Sequence, residues 1–114
     1  LFEGAQRFAK TQKSKATFEK SKLELEQYKM ESQVALNQAE RMLADAQNSL
    51  RLSQLALEQS KESLRIRTNR FKEGLEKTTD LLMAETQYAQ KELAYYAAIY
   101  QVNYAQLYVQ FLSK

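Results

Sequence analysis

The chain has 114 residues and a net charge of +3, with two glycines and no proline, cysteine or histidine. The absence of cysteine and histidine excludes thiol chemistry, disulfide bonds and the usual zinc and haem ligand sets. The interspersed charges of both signs do not form the dense basic face that nucleic acids usually require. Gln, Lys, Glu, Ala and Leu dominate, and this composition predicts an all-α fold of long helices or coiled coils.

The first predicted element is a long helix from about residue 5 to about residue 72. It follows Gly4, and an unbroken helical pattern without proline extends from there. At 1.5 Å per residue such a helix is about 100 Å long, which is far more than a globular core requires. The chain does not begin with Met, and we interpret it as a piece of a longer protein.

A heptad row of apolar residues runs along the second half of this helix. Its members are Leu36, Leu43, Leu50, Leu57, Leu64 and Phe71, and the small residues Ala39, Ala46, Ser53 and Ser60 follow three positions after the first four leucines. Alternating large and small residues let two helices approach closely in a left-handed coiled coil. Before Leu36 the same heptad position holds lysine, so the first half of the helix is expected to have a different partner or none.

Gly74 marks the predicted turn, which covers about residues 73–79. Glycine adopts a left-handed backbone conformation without a steric penalty, so it is a natural residue to end a helix. Thr78 or Thr79 is predicted to cap the second helix. Asp80 then lies in its first turn, where negative charge is favourable.

Positive charge is concentrated near this turn, at Arg65, Arg67, Arg70, Lys72 and Lys77. One interpretation is an ordinary solvated helix end, whose cations favour the C-terminal dipole. The other is a docking surface for another protein. Glu73 and Glu76 are expected to interact with the neighbouring lysines or with solvent. No carboxylate pair has the spacing of a metal site.

The second predicted helix runs from about residue 80 to residue 112 or 113 and is about half as long as the first. Its predicted seam residues are Tyr88, Tyr95, Val102 and Val109. Another apolar row includes Leu82, Ala89, Tyr96, Leu93, Tyr100, Leu107 and Phe111. A helix that is apolar on several faces needs several neighbours, so we expect the hairpin to self-associate. A membrane span is the competing interpretation, but the interspersed amides make the segment too polar.

Three short motifs fall at separations that resemble those of the TolC-type outer-membrane efflux proteins. In that family an Arg, an aromatic residue, two variable residues and a Gly end a long helix, as in the segment 70–74. Six residues after the glycine, an Asp begins a leucine-containing return helix, and Asp80 has this spacing. The segment 1–4 resembles the start of the family's long helix, and the segment 105–108 resembles its Leu-Tyr ending.

The resemblance implies that the chain is the second long-helix hairpin of such a protein. The parent protein would be a trimer in the outer membrane of a Gram-negative bacterium, with this α-barrel part in the periplasm and its β-strands outside the present chain. The adaptor protein of a tripartite pump, joined to an inner-membrane pump, would dock at the turn. Drug efflux or type I secretion would proceed without chemistry or a cofactor. The entrance residues that the resemblance implies are Arg70, Phe71, Gly74 and Asp80.

The chain departs from the family pattern at two positions, and two other classes of protein remain as alternative interpretations. Met83 stands where some members carry a second acidic residue facing the entrance, and Ala5 replaces the second glycine of the N-terminal motif. One alternative is the coiled-coil hairpin of a periplasmic adaptor, or membrane fusion, protein. The position of Asp80 and the Leu-Tyr ending argue against it. The other alternative is a structural coiled coil unrelated to transport.

Overall fold

Two α-helices joined by a tight turn make up the computed structural model, which describes residues 2–114 and the side chains from Glu3 onward. Helix α1 spans Phe2–Lys72 and has 71 residues, and helix α2 spans Thr78–Leu112 and has 35. The described residues contain no strand. The prediction of an all-α fold, a long helical hairpin, is confirmed. Leu1, the first residue of the N-terminal motif, lies outside the described residues.

By its packing, the chain divides into residues 1–37 and residues 38–114. In the first unit the side chains of residues 3–34 are all exposed. Several of them are large and apolar, namely Phe8, Phe18, Leu23, Leu25, Tyr28, Met30 and Val34. This part of α1 therefore lacks the packing that most helices in proteins rely on for stability.

Small residues form the buried core of the second unit. Ala46, Val102 and Ala105 make one buried cluster, and Leu43 and Leu50 pack against it while remaining partly exposed. Alanine at the contact lets two helix backbones approach closely, as the alternation of large and small residues along α1 predicts. The leucines stay partly exposed because two helices cannot enclose a side chain on every side.

Helix α1 begins earlier than predicted. It starts at Phe2 instead of residue 5, and Gly4 lies inside it. Glycine within a helix costs about 1 kcal/mol relative to alanine but does not end the helix where its φ and ψ stay helical. Gly4 therefore does not mark the boundary that the sequence indicated.

Helix α2 also begins earlier, at Thr78 instead of residue 80. Its N-cap residue is Lys77, which has an extended backbone and makes no side-chain capping bond. The Leu81 N–H already donates to the Lys77 carbonyl at 3.1 Å, so both threonines lie within the helix. The prediction that Thr78 or Thr79 caps α2 is therefore wrong. Within residues 2–114, no helix combines the length and apolarity needed to cross a membrane.

Candidate interaction site at the helical turn

The turn after α1 is a Schellman motif built on Gly74. This glycine has φ 76°, the one positive φ in the described part of the chain. Its N–H donates to the Phe71 carbonyl at 3.0 Å, and the Leu75 N–H donates to the Arg70 carbonyl at 2.9 Å. The two bonds satisfy carbonyls that have no partner within the helix. Gly74 thus ends α1 through the conformational freedom on which its prediction was based.

The carboxylate of Glu76 joins the turn to α1. Arg67 Nη1 donates to Glu76 Oε1 at 2.8 Å, and Arg70 Nε lies 2.9 Å from Glu76 Oε2. The Glu76 side chain is only 9% exposed, whereas both arginines keep about half of their side-chain surface in solvent. The expectation that Glu76 contacts lysines or solvent is therefore wrong. The two arginines lie one turn apart on α1 and engage one carboxylate oxygen each; we call these three residues the Arg–Glu cluster.

This cluster is also placed favourably with respect to the helix dipoles. Arg70 lies in the last turn of α1, and Glu76 directly precedes the N-cap residue of α2. Positive charge is favoured at a helix C-terminus and negative charge at an N-terminus. The ion pairs therefore connect two helix ends whose partial charges already favour them.

A second ion pair lies nearby on the exposed side of α1. The Arg65 guanidinium donates two hydrogen bonds to Glu62, at 3.0 and 2.6 Å. These bonds lower the pKa of Glu62 below its usual 4.5 and raise the pKa of Arg65. Because both side chains are mostly solvent-exposed, water and salt screen the pair and it contributes little to stability. Glu62 and Ile66 line a shallow groove together with the Arg–Glu cluster.

Exposed apolar side chains surround the turn: Phe71, Leu75, Leu82 and Met83, which we call the turn surface. Leu75 is 64% exposed and directly follows Gly74. A Schellman motif often carries a hydrophobic contact between this position and the third residue before the helix cap. Here that earlier residue is Arg70, whose side chain is bound to Glu76. Leu75 is thus presented to solvent on a turn that hydrogen bonds and ion pairs hold in place.

The structure brings three of the four predicted entrance residues together. Arg70, Phe71 and Gly74 all belong to the turn. The carbonyls of Arg70 and Phe71 accept the hydrogen bonds that the N–H groups of Leu75 and Gly74 donate. Asp80 is partly buried in the first turn of α2, and no ion pair or side-chain hydrogen bond of the described residues joins it to the other three. Sequence reasoning assigned no role to the Arg67–Glu76 pair. The sequence feature that could have indicated this pair is an arginine and a glutamate nine residues apart, on either side of a glycine that ends a helix.

The predicted seam residues are all at least partly buried. Val102 is buried, and those of intermediate exposure are Leu36, Leu43, Leu50, Leu57, Leu64, Tyr88, Tyr95 and Val109. Phe71, at the end of the same heptad row, is exposed because it lies at the turn, where α2 has not yet begun. The residues of the heptad row are thus partly buried from Leu36 to Leu64 and exposed at Phe71.

The turn exposes apolar side chains beside the Arg–Glu cluster. Residues 2–114 contain no group of three or more acidic side chains arranged to hold a metal ion. Buried side-chain polar atoms in this part of the chain all have hydrogen-bond partners.

Neither a family model, nor a curated protein, nor a solved structure matches the chain. The TolC-type resemblance therefore rests on the residues of the turn and of the two ends.

Proposed function

We propose that the chain is a segment of the periplasmic α-helical tunnel of a TolC-type outer-membrane channel, serving tripartite efflux or type I secretion. The observation that supports this most is the arrangement of the turn. Helix α1 ends directly after Arg70 and Phe71, Gly74 has a positive φ, and Asp80 lies in the first turn of the shorter return helix. The family pattern has an arginine, an aromatic residue, a glycine and an aspartate at these positions.

In this proposal the helical turn docks the adaptor protein of the pump. Two features support docking at this end of the hairpin. The turn surface exposes apolar side chains such as Leu75, and the Arg–Glu cluster fixes the backbone that carries them. A rigid apolar surface loses little conformational entropy on binding, so it suits a protein contact.

Transport through such a tunnel requires no catalytic residue. The parent protein would be a homotrimer, so Asp80 would occur three times around the entrance. A ring of carboxylates attracts cations and shapes conductance. Asp80 is also in the first turn of α2, where its replacement by Asn removes a dipole interaction of about 0.3–1 kcal/mol.

The test is a planar-bilayer recording of the full-length protein with Asp80→Asn. We expect a changed single-channel conductance, or a changed response to divalent cations, with almost no change in melting temperature. Glu58→Gln is the matched control, because Glu58 is exposed on α1 and lies 16 residues before Gly74 along the chain. If Asp80→Asn and the control both behave as wild type, Asp80 does not line the entrance.

The sequence that flanks this hairpin in its gene distinguishes the channel from the two alternatives. A signal peptide and a first hairpin repeat upstream would support the channel. Lipoyl-like flanks on both sides would identify an adaptor hairpin. Further heptad repeats with neither feature would identify a structural coiled coil. The last two results would each overturn the proposal.

A further inference from the structure

Helix α2 carries a continuous apolar face on the side away from its buried residues. Its members, which we call the outer face, are Leu93, Tyr100, Tyr104, Leu107 and Phe111. Spacings of seven, four, three and four residues place them on one side of a helix. Their exposed fractions lie between 66% and 76%. The buried Ala98, Val102 and Ala105 lie on the opposite side and pack toward α1.

The outer face is large enough to support a stable contact between two proteins. It carries no charge, since α2 has no charged residue from Leu93 to Leu112. An aromatic side chain buries roughly 150–250 Å² when it is fully enclosed. Five large side chains that are two-thirds to three-quarters exposed therefore offer on the order of 600 Å², and their neighbours add to this. A standard interface buries about 800 Å² per partner, so the outer face and its neighbours offer an area of the same order.

The outer face is nearly symmetrical about Val102. Leu93 and Phe111 each lie nine residues from Val102, and Tyr100 and Tyr104 each lie two residues from it. The counterpart of Leu107 is Ala97, so a large residue would meet a small one. A two-fold rotation about an axis beside Val102 therefore sets apolar side chains of one copy against apolar side chains of the other.

The charges at the two ends of α2 favour an antiparallel pair. Lys91 and Glu92 precede the uncharged segment, and Lys114 follows it. An antiparallel arrangement about Val102 brings Glu92 of one copy within about one helical turn of Lys114 of the other. Lys91 lies at nearly the same level, but it is seven residues before Ala98 and so lies on the side of α2 away from the outer face. A parallel arrangement would place the Lys114 side chains side by side. The helix dipoles also favour the antiparallel arrangement.

We propose that the outer face of α2 binds the same face of a second copy of this chain, with the two α2 helices antiparallel about a two-fold axis beside Val102. Residues 3–34 of α1 are a poorer occupant. Their exposed apolar residues, among them Phe8, Phe18 and Met30, are interspersed with lysines and glutamates, whereas the outer face carries no charge. The pairing concerns the 114-residue chain itself and does not depend on the proposed function.

Sedimentation of the 114-residue chain at tens of micromolar tests the pairing, and we expect a dimer. Leu107→Glu puts two charges into the contact and should raise the dimer Kd at least tenfold. Leu82→Glu is the matched control, because Leu82 is also an exposed apolar residue of α2. It lies 20 residues before Val102, whereas only 12 residues follow Val102, so the second helix does not reach it. Circular dichroism checks that both variants remain helical.

A monomeric wild-type chain overturns the proposal, and so does an oligomer that Leu107→Glu leaves intact or that Leu82→Glu disrupts equally. Orientation has its own test, because the chain contains no cysteine. Copies with Leu93→Cys are mixed with copies carrying Phe111→Cys and treated with a short bis-maleimide. We expect cross-linked dimers in the mixture and none with either variant alone. Cross-linking of Leu93→Cys copies to one another would show a parallel pair and contradict the proposal.

Discussion

Two glutamates that resemble each other in the sequence have different surroundings in the turn. Glu73 is exposed and takes part in no ion pair within the described residues. Glu76 is almost buried between Arg67 and Arg70. The left-handed conformation of Gly74 separates them, because it changes the direction of the chain and brings Glu76 back against α1. Only the second glutamate therefore contributes to the stability of the turn.

We expect Glu76→Gln to lower the free energy of unfolding by about 1–2 kcal/mol. The amide keeps one acceptor oxygen but loses the charge and turns an N–H₂ group toward an arginine, so the hydrogen bonds weaken. The value is below that of a fully buried pair, because the arginines are half-exposed. Glu73→Gln should stay within about 0.5 kcal/mol of wild type. Urea unfolding measures both variants, and equal effects would contradict the role of the Arg–Glu cluster.

How well the sequence predicts the role of a single residue depends on how local the cause of that role is. Gly74 is predictable because its effect resides in its own φ. The Arg67–Glu76 pair is not, since nine residues on a regular helix would separate the two side chains by more than two turns. They meet only once the geometry of the turn is known. The prediction of a threonine cap was wrong for a related reason. Lys77 has an extended backbone and is itself the N-cap residue, so α2 begins at the next residue, Thr78.

At the scale of the helices, the position of the seam was predictable but the depth of its burial was not. The heptad row places Leu43 and Leu50 against α2, and both pack on the core cluster. The buried positions, however, are mostly alanines such as Ala46 and Ala105. With only two helices, the space between the backbones is narrow and its centre holds small side chains. Complete burial of a leucine requires a third helix.

This packing predicts different outcomes for the same substitution at two positions of α2. Ala105 is 1% exposed within the core cluster, so Ala105→Leu should force the helices apart and destabilise the hairpin by about 1–3 kcal/mol. Ala94 is exposed on the same helix. Ala94→Leu should change the free energy of unfolding by less than about 0.5 kcal/mol, since both residues are good helix formers. Thermal or urea unfolding compares the two, and a tolerated Ala105→Leu would contradict close packing at this point.

At the scale of the whole molecule, one part of the chain buries side chains and another does not. Residues 38–114 contain the alanine core and the fixed turn. The side chains of residues 3–34 are all exposed, although the backbone is helical throughout. The lysines in the heptad position anticipate this difference, because a charged seam position does not pack against an apolar helix. The sequence thus predicts where packing ends more reliably than where the helix ends.

Amide hydrogen exchange tests this difference along α1. In the Leu107→Glu variant, where the outer face is unpaired, we expect residues 5–34 to exchange at least about tenfold faster than residues 43–60. Opening of an unpacked helix breaks only backbone hydrogen bonds, whereas opening of the second segment also exposes the core cluster. A chain that starts at residue 35 is the control, and its hairpin amides should keep the same protection. If residues 5–34 are protected as strongly as residues 43–60 at low micromolar concentration, the continuity of α1 stabilises its first half, and side-chain packing is not what determines local stability in this chain.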